Sequence, residues 1–272
     1  MTHTKETIQE TIGMRDNRGV AVETDCYRFS EDVWVNASVH VPLERELTVT
    51  VNNRELVTIL CTPTKLNYLV LGFLYAEGII SSVSDVMMMR VCDEESEVDV
   101  RLTKSEFELP KKRRLTTGCG GGIAFATQGQ KIESDFVVAP AEVLLLMKQL
   151  QEQMELYRFS GGVHASALAD KGRLLIVAED IGRHNTLDKI QGECLLKELP
   201  TSDRLLLSTG RISSEMLLKA SRMAVPVVVS RHSPTGTAVF MARSLGIALV
   251  GRVRGGRLSV YSHPERLGCF EK

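Results

Sequence analysis

Six cysteines lie at 26, 61, 92, 119, 194 and 269, and one of them has a setting suited to chemistry. Cys119 stands in "KKRRLTTGCGGGIAF" (111–125), behind Lys111, Lys112, Arg113 and Arg114 and among Gly118, Gly120, Gly121 and Gly122. The thiolate is the nucleophilic form of cysteine, and nearby cations favour it. The glycines leave the sulfur open to two successive partners and give an inert thiol nothing to pack against. A phosphatase-type loop would need arginine where Phe125 stands, and a thioredoxin-like dithiol a second cysteine where Gly122 stands. An acyl-transfer cysteine would need a histidine base and an oxyanion site, and no local sequence assigns either. Two readings survive: a single mobile thiol that holds a group as an adduct, such as a persulfide, or a flexible loop with an incidental cysteine. Cys26, Cys61, Cys92 and Cys194 sit in apolar or element-forming contexts and read as buried structural thiols. Cys269, in "RLGCFEK", has no run of cations or glycines like that around Cys119.

A second set of residues is cationic. "EDIGRHN", "STGRISS", "SRHSPTG" and "RVRGGR" each follow a short apolar run. They supply Arg183, His184, Arg211, Arg231, His232, Arg252, Arg254 and Arg257, with glycines at 182, 210, 236, 255 and 256. In open parallel sheets, ligands sit beyond the carboxyl ends of the strands. Glycine lets backbone N–H groups approach an anion, a helix N-terminus adds a favourable dipole, and arginine pairs with phosphate through two hydrogen bonds. The formal net charge of the chain is −1. A local concentration of cations on such a chain points to a phosphorylated ligand, with solvated loop arginines as the alternative. Neither of the common glycine-rich phosphate motifs is present to say which anion.

His164 follows Gly161-Gly162 in "FSGGVHASAL". Zinc deaminases have H-x-E there with a later cysteine pair; here Ser166 takes the third position and the pair is missing, so no metal site and no zinc are expected. His164 reads either as a ligand contact or as a satisfied core histidine.

These residues need a frame. The chain has 272 residues, 43% apolar and 25% charged, which suits a soluble globular protein of one large domain or two smaller ones. Neither nucleic acid nor membrane is an expected partner, no apolar run is long enough to span a bilayer, and the N-terminus lacks the apolar core of a signal peptide. Widely spread cysteines favour reduced thiols in a cytoplasmic location.

Residues 1–19 read as a frayed tail. An α+β module is expected over 20–115, with strands in "VWVNASVHV" and "ELTVTVNNRELVTIL" and a turn at Asn52-Asn53. Its helix lies in "TPTKLNYLVLGFLYAEGII", capped by Thr62 or Thr64, and "VMMMRVCDEESEVDVRL" returns to strand, with Met87–Met89 packing in the core. The cysteine-bearing loop and linker cover 116–136. From 137 to 272 apolar runs alternate with helices, the pattern of an α/β domain with a mostly parallel sheet buried on both faces. "PAEVLLLMKQLQEQMELYRF" reads as one amphipathic helix with Val143, Leu146, Met147, Leu150, Met154 and Tyr157 on its face.

The blocks "LTVTVNNRELVTILCTPTKLNYLVLGFLYAEGII", "TTGCGGG", "SGGVHASAL", "EDIGRHNTLDKIQGECL", "STGRISSEMLLKA" and "LVGRVRGGRLSVYSHPERL", in this order, resemble the formate dehydrogenase accessory sulfurtransferases, the FdhD family, over nearly all of 20–267. The resemblance implies a cytoplasmic, dimeric enzyme with a cytidine-deaminase-like second domain. It implies transfer of persulfide sulfur from a cysteine desulfurase to the molybdenum cofactor of formate dehydrogenase, the bis(molybdopterin guanine dinucleotide) form. The family's persulfide cysteine falls on Cys119, and its cofactor-binding segment on Arg252, Val253, Arg254, Gly255, Gly256 and Arg257. The cofactor's guanine nucleotide phosphates would suit the basic loops, with Arg183, His184, Arg211 and His164 as further contacts. Many members carry C-x-x-C at the loop. Here the second position is Gly122, so either Cys119 transfers sulfur alone or the protein binds the cofactor as a chaperone without sulfur transfer.

Overall fold

The computed structural model describes residues 19–92, 96–104, 107, 113–115, 123–125 and 129–269. The first two strands, β1 (Ala21–Ser30) and β2 (Val33–Pro42), form an antiparallel ribbon turned at Glu31 and Asp32, both at positive φ. Most of the ribbon faces solvent, including Tyr27, Phe29 and Trp34. Cys26 in this ribbon is therefore only partly buried, as is Cys92, so of the thiols expected to be buried only Cys61 and Cys194 are.

Strands β3 (Arg45–Val51), β4 (Arg54–Cys61), β5 (Val86–Cys92) and β6 (Glu97–Leu102) form a sheet ordered β4-β3-β6-β5. Asn52 and Asn53 turn its first hairpin with φ of 48° and 63°, the left-handed region that asparagine tolerates. Of the three consecutive methionines only Met89 packs in the core. A register shift between Val86 and Met88 leaves Met87 and Met88 exposed, which corrects the expectation for them.

Helix α1 (Leu66–Ala76) is apolar almost all round, as a helix covered on both sides must be. One side meets the four-stranded sheet. The other crosses α4 (Arg183–Leu196) of the second module, where two glycines set the distance. A Cβ on Gly72 would stand 1.8 Å from the Asp188 carbonyl oxygen, and one on Gly192 1.9 Å from that of Tyr68. No side chain fits at either point. Neither Thr62 nor Thr64 caps α1, contrary to the sequence expectation: Lys65, at φ 54°, occupies the cap position. The threonine hydroxyls instead reach across to the second module, accepting from Ile181 N at 3.1 Å and Lys189 Nζ at 3.0 Å.

β7 (Arg113–Leu115) and β8 (Ile123–Phe125) pair antiparallel. Residues 116–122, which link them in sequence and include Cys119, lie outside the described residues. The chain is described again from Gly129, where a Cβ would meet Leu245 and Leu218, and Ile132 enters the second core.

The second module is α/β. Its sheet joins β9 (His164–Ala169), β10 (Leu174–Asp180), β11 (Leu205–Ser208), β12 (Val227–Ser230), β13 (Ala248–Arg254) and β14 (Arg257–Ser262) in the order β10-β9-β11-β12-β13-β14. β10, β11, β12 and β13 run one way, β9 and β14 the other. Helices α4, α5 (Ser214–Arg222) and α6 (Gly236–Leu245) pack with the core on one face, and α2 (Pro140–Glu152) with the core on the other. The single amphipathic helix expected over 140–159 is two, α2 and α3 (Glu155–Ser160). Glu179 of β10 causes the break: its carboxylate accepts the N–H groups of Leu156 and Tyr157 and starts a new helix. Tyr157 consequently faces solvent.

Candidate anion-binding edge

Because four strands share a direction, the carboxyl ends of β10, β11, β12 and β13 lie along one edge, joined there by the amino end of the reversed β9, which begins with His164. Helices α4, α5 and α6 all start at this edge, with Gly182, Ser213 and Thr235 at their caps. Their dipoles add a favourable field for an anion.

A row of hydroxyls fixes the edge from below. Ser166, Ser208 and Ser230 stand opposite one another on β9, β11 and β12. All three are buried. Ser166 Oγ lies 2.7 Å from Thr186 Oγ1 and 3.1 Å from Ser208 Oγ. Ser208 Oγ accepts from Gly210 N at 3.1 Å, while Ser230 Oγ donates to Gly210 O at 2.7 Å and accepts from His232 N at 2.9 Å. Both backbone polar groups of Gly210 are thus held by serines. Sequence reasoning missed this row, though "LLLS" and "VVVS" each end a buried apolar run in serine, a signal that was there to read.

Gly210 is the closest point of the edge. A Cβ there would come within 3.1 Å of Arg183 Cβ and 3.4 Å of His164 Nδ1, so Arg183, Gly210 and His164 form one surface. Burial holds the His164 imidazole below its ordinary pKa, with Arg183, His232 and His184 pushing the same way and Asp180 opposing. His184 Nε2 lies 3.3 Å from Glu215 Oε2 and 3.5 Å from the Ser213 hydroxyl that accepts from Met216 N. The His184 hydrogen bond draws the Glu215 carboxyl below the ordinary carboxylate range. Ser166, standing where a zinc deaminase has glutamate, is spent on the hydroxyl row.

The remaining candidates divide by exposure. Arg211, His232, Arg252, Arg254 and Arg257 are exposed and Arg231 half-buried. Arg252 N donates to His232 O at 3.2 Å, which joins the β13 end to the β12 end. Arg252 has a φ of 56°, unusual for a residue other than glycine. "RVRGGR" leads into no helix: it is the β13–β14 hairpin, turned at Gly255 and Gly256, both at positive φ with open space around them. Val253 is 1% exposed and part of the core beneath the edge, so only its main chain is offered to a ligand. Cys119 lies outside the described residues. Cys194 is held protonated at neutral pH, its thiol pushed up to about 12 by burial. Among the described residues no helix is long and apolar enough to cross a membrane.

Fold and edge together define a two-module α/β protein with cations and helix starts gathered on one side of its larger sheet. The family model described as "FdhD/NarQ family" matches residues 42–268, and the chain belongs to that family. Two relatives are each named sulfur carrier protein FdhD. That of Staphylococcus haemolyticus (strain JCSC1435) is 35% identical over 263 residues, covering 94% of this chain and 100% of that protein. That of Bacillus subtilis (strain 168) is 37% identical over 259 residues, covering 92% and 99%. A crystal structure from Desulfotalea psychrophila, provisionally described as a formate dehydrogenase accessory protein, shares the fold with a TM-score of 0.76 at 24% identity, covering 91% of this chain and 99% of that one.

Proposed function

We propose that the protein is a sulfurtransferase that carries sulfur as a persulfide on Cys119 and passes it to a molybdenum cofactor of the bis(molybdopterin guanine dinucleotide) type held at the basic edge. The observation that carries the binding half is the joint surface of Arg183, Gly210 and His164 beneath exposed arginines from adjacent strand ends. Phosphates of a guanine nucleotide suit it: arginine offers paired donors, and Gly210, with no side chain, lets Arg183 and His164 lie close together. The carrier half is supported by the relatives' name and by the cationic, glycine-rich setting of Cys119.

In the first step the Cys119 thiolate attacks the outer sulfur of a cysteine desulfurase persulfide. The new S–S bond forms as the desulfurase cysteine leaves as thiolate. In the outward step an acceptor that supplies an electron pair takes the outer sulfur at the sulfane level, the S–S bond breaks, and Cys119 leaves as the thiolate. The partners on this reading are a cysteine desulfurase, a formate dehydrogenase and a second copy of the chain, in the cytoplasm.

Gly122 supports a second reading, a chaperone that holds the cofactor without moving sulfur, because no second loop cysteine is present to release sulfide. Intact mass and peptide mapping after incubation with cysteine and a desulfurase separate the two. The transferase gains one sulfur, about 32 Da, on the Cys119 peptide, removable by reductant. Cys119→Ala abolishes that gain and keeps guanine nucleotide binding. Absence of sulfur on wild-type Cys119, with nucleotide binding intact, leaves the chaperone.

A further inference from the structure

Lys189 sits mid-helix in α4, and neither its side chain nor that of Asp180 has any exposure; they are 2.6 Å apart. A buried ion pair recovers its desolvation cost only with precise geometry and full hydrogen bonding, and an apolar pair of similar volume often serves stability as well. The partners of this pair show a different use.

Each Asp180 oxygen faces a different module. Oδ1 accepts Gly182 N and Asn185 Nδ2, both at 2.8 Å, and so holds the turn that presents Arg183. Oδ2 accepts Thr62 N at 3.1 Å from the first module, beside Lys189 Nζ. Lys189 donates to Thr62 O at 3.1 Å and Thr64 Oγ1 at 3.0 Å, and to Glu179 O at 3.3 Å. Thr62 Oγ1 accepts Ile181 N, so all three polar atoms of Thr62 end on the second module. Asn185 Nδ2 also donates to Leu60 O. Every bond in this cluster terminates either on residues 60–64 or on the 179–185 strand-to-helix turn.

We propose that Asp180 and Lys189 are positioning residues for the anion edge, transmitting the placement of Thr62–Thr64 in the first module to the Gly182–Arg183 turn. This rests on the reading of that edge as a nucleotide-phosphate site. The first module, which contributes none of the edge cations described above, thereby sets how Arg183 meets Gly210 and His164.

Asp180→Asn is the discriminating variant. Its amide keeps an oxygen for Gly182 N and Asn185, but the other position now carries N–H groups facing Thr62 N and Lys189. If Asp180 served only to cap α4, the variant would bind like wild type. As a positioning residue it should weaken GDP binding about tenfold, measured by calorimetry on the full chain well below its melting temperature. The amide resonances of Gly182, Arg183 and Gly210 should shift with it. Thr64→Val, which removes one Lys189 acceptor, should move the same resonances less, and it decides the matter if Asp180→Asn does not fold. Unchanged GDP affinity and unchanged edge resonances in a folded variant would overturn the proposal. Failure of wild type to bind GDP would overturn the nucleotide reading instead, while the resonance shifts still report the coupling between modules.

Discussion

The two edges of the six-stranded sheet both carry cations and use them differently. At the amino edge Phe136, Lys171, Arg173 and Arg204 line a shallow cleft, and each of its cations already has a partner close by. Arg173 pairs with Asp170 at 3.4 Å, Arg204 donates to the Asp203 carbonyl, and Lys171 lies over the Phe136 ring. At the carboxyl edge the acids are claimed from below, Asp180 by Lys189 and Glu215 by His184. Among the described residues no ion pair engages Arg211, Arg231, Arg252, Arg254 or Arg257. A cation engaged by a local partner is part of an ordinary solvated surface. Cations from separate strand ends, set over fixed backbone and without acids of their own, are arranged for an anion from outside.

The strongest way to break this contrast is to remove charge from each edge in turn. Arg211→Ala with Arg252→Ala should weaken GDP binding about a hundredfold, since two charge-assisted hydrogen bonds are lost. Lys171→Ala with Arg173→Ala should leave it unchanged. Equal losses at the two edges would mean a diffuse field rather than a site, and calorimetry on the two double variants tells them apart. A smaller effect is expected from Gly210→Ala. Its added Cβ would press on Arg183 and His164 at 3.1 and 3.4 Å without disturbing the serine bonds, so a loss of a few-fold in affinity should come with an unchanged melting temperature.

The smallest effect concerns pH. His164 is neutral in the free protein at neutral pH because burial and neighbouring cations lower its pKa. A bound phosphate favours the imidazolium, so its pKa rises in the complex and binding takes up a proton. Affinity should therefore increase as pH falls through the ordinary histidine value of about 6.5 and on towards the lowered pKa of the free protein. His164→Gln should lose part of that rise. Parallel profiles for the two proteins would remove His164 from the site.

The sequence made parts of this legible and hid others. The Asn52-Asn53 turn, the apolar runs that became β10–β13 and the basic loops after them depend on local chemistry and could be read directly. Thr62 and Thr64 could not, because helix capping is the local expectation for such threonines, whereas their partners lie more than a hundred residues away. The break between α2 and α3 was hidden for the same reason: Glu179 makes it from a distant strand. Val253 alternates inward between two outward arginines, a strand feature masked by reading "RVRGGR" as a loop.

The most direct test of the anion edge is amide hydrogen exchange of the full chain with and without GDP. Slowed exchange is expected at 182–185, 210–213, 231–236 and 252–257, with none at 170–173 or 203–204. Protection confined to the amino edge, or spread evenly over both, would contradict the assignment of the anion site to the carboxyl ends of the strands.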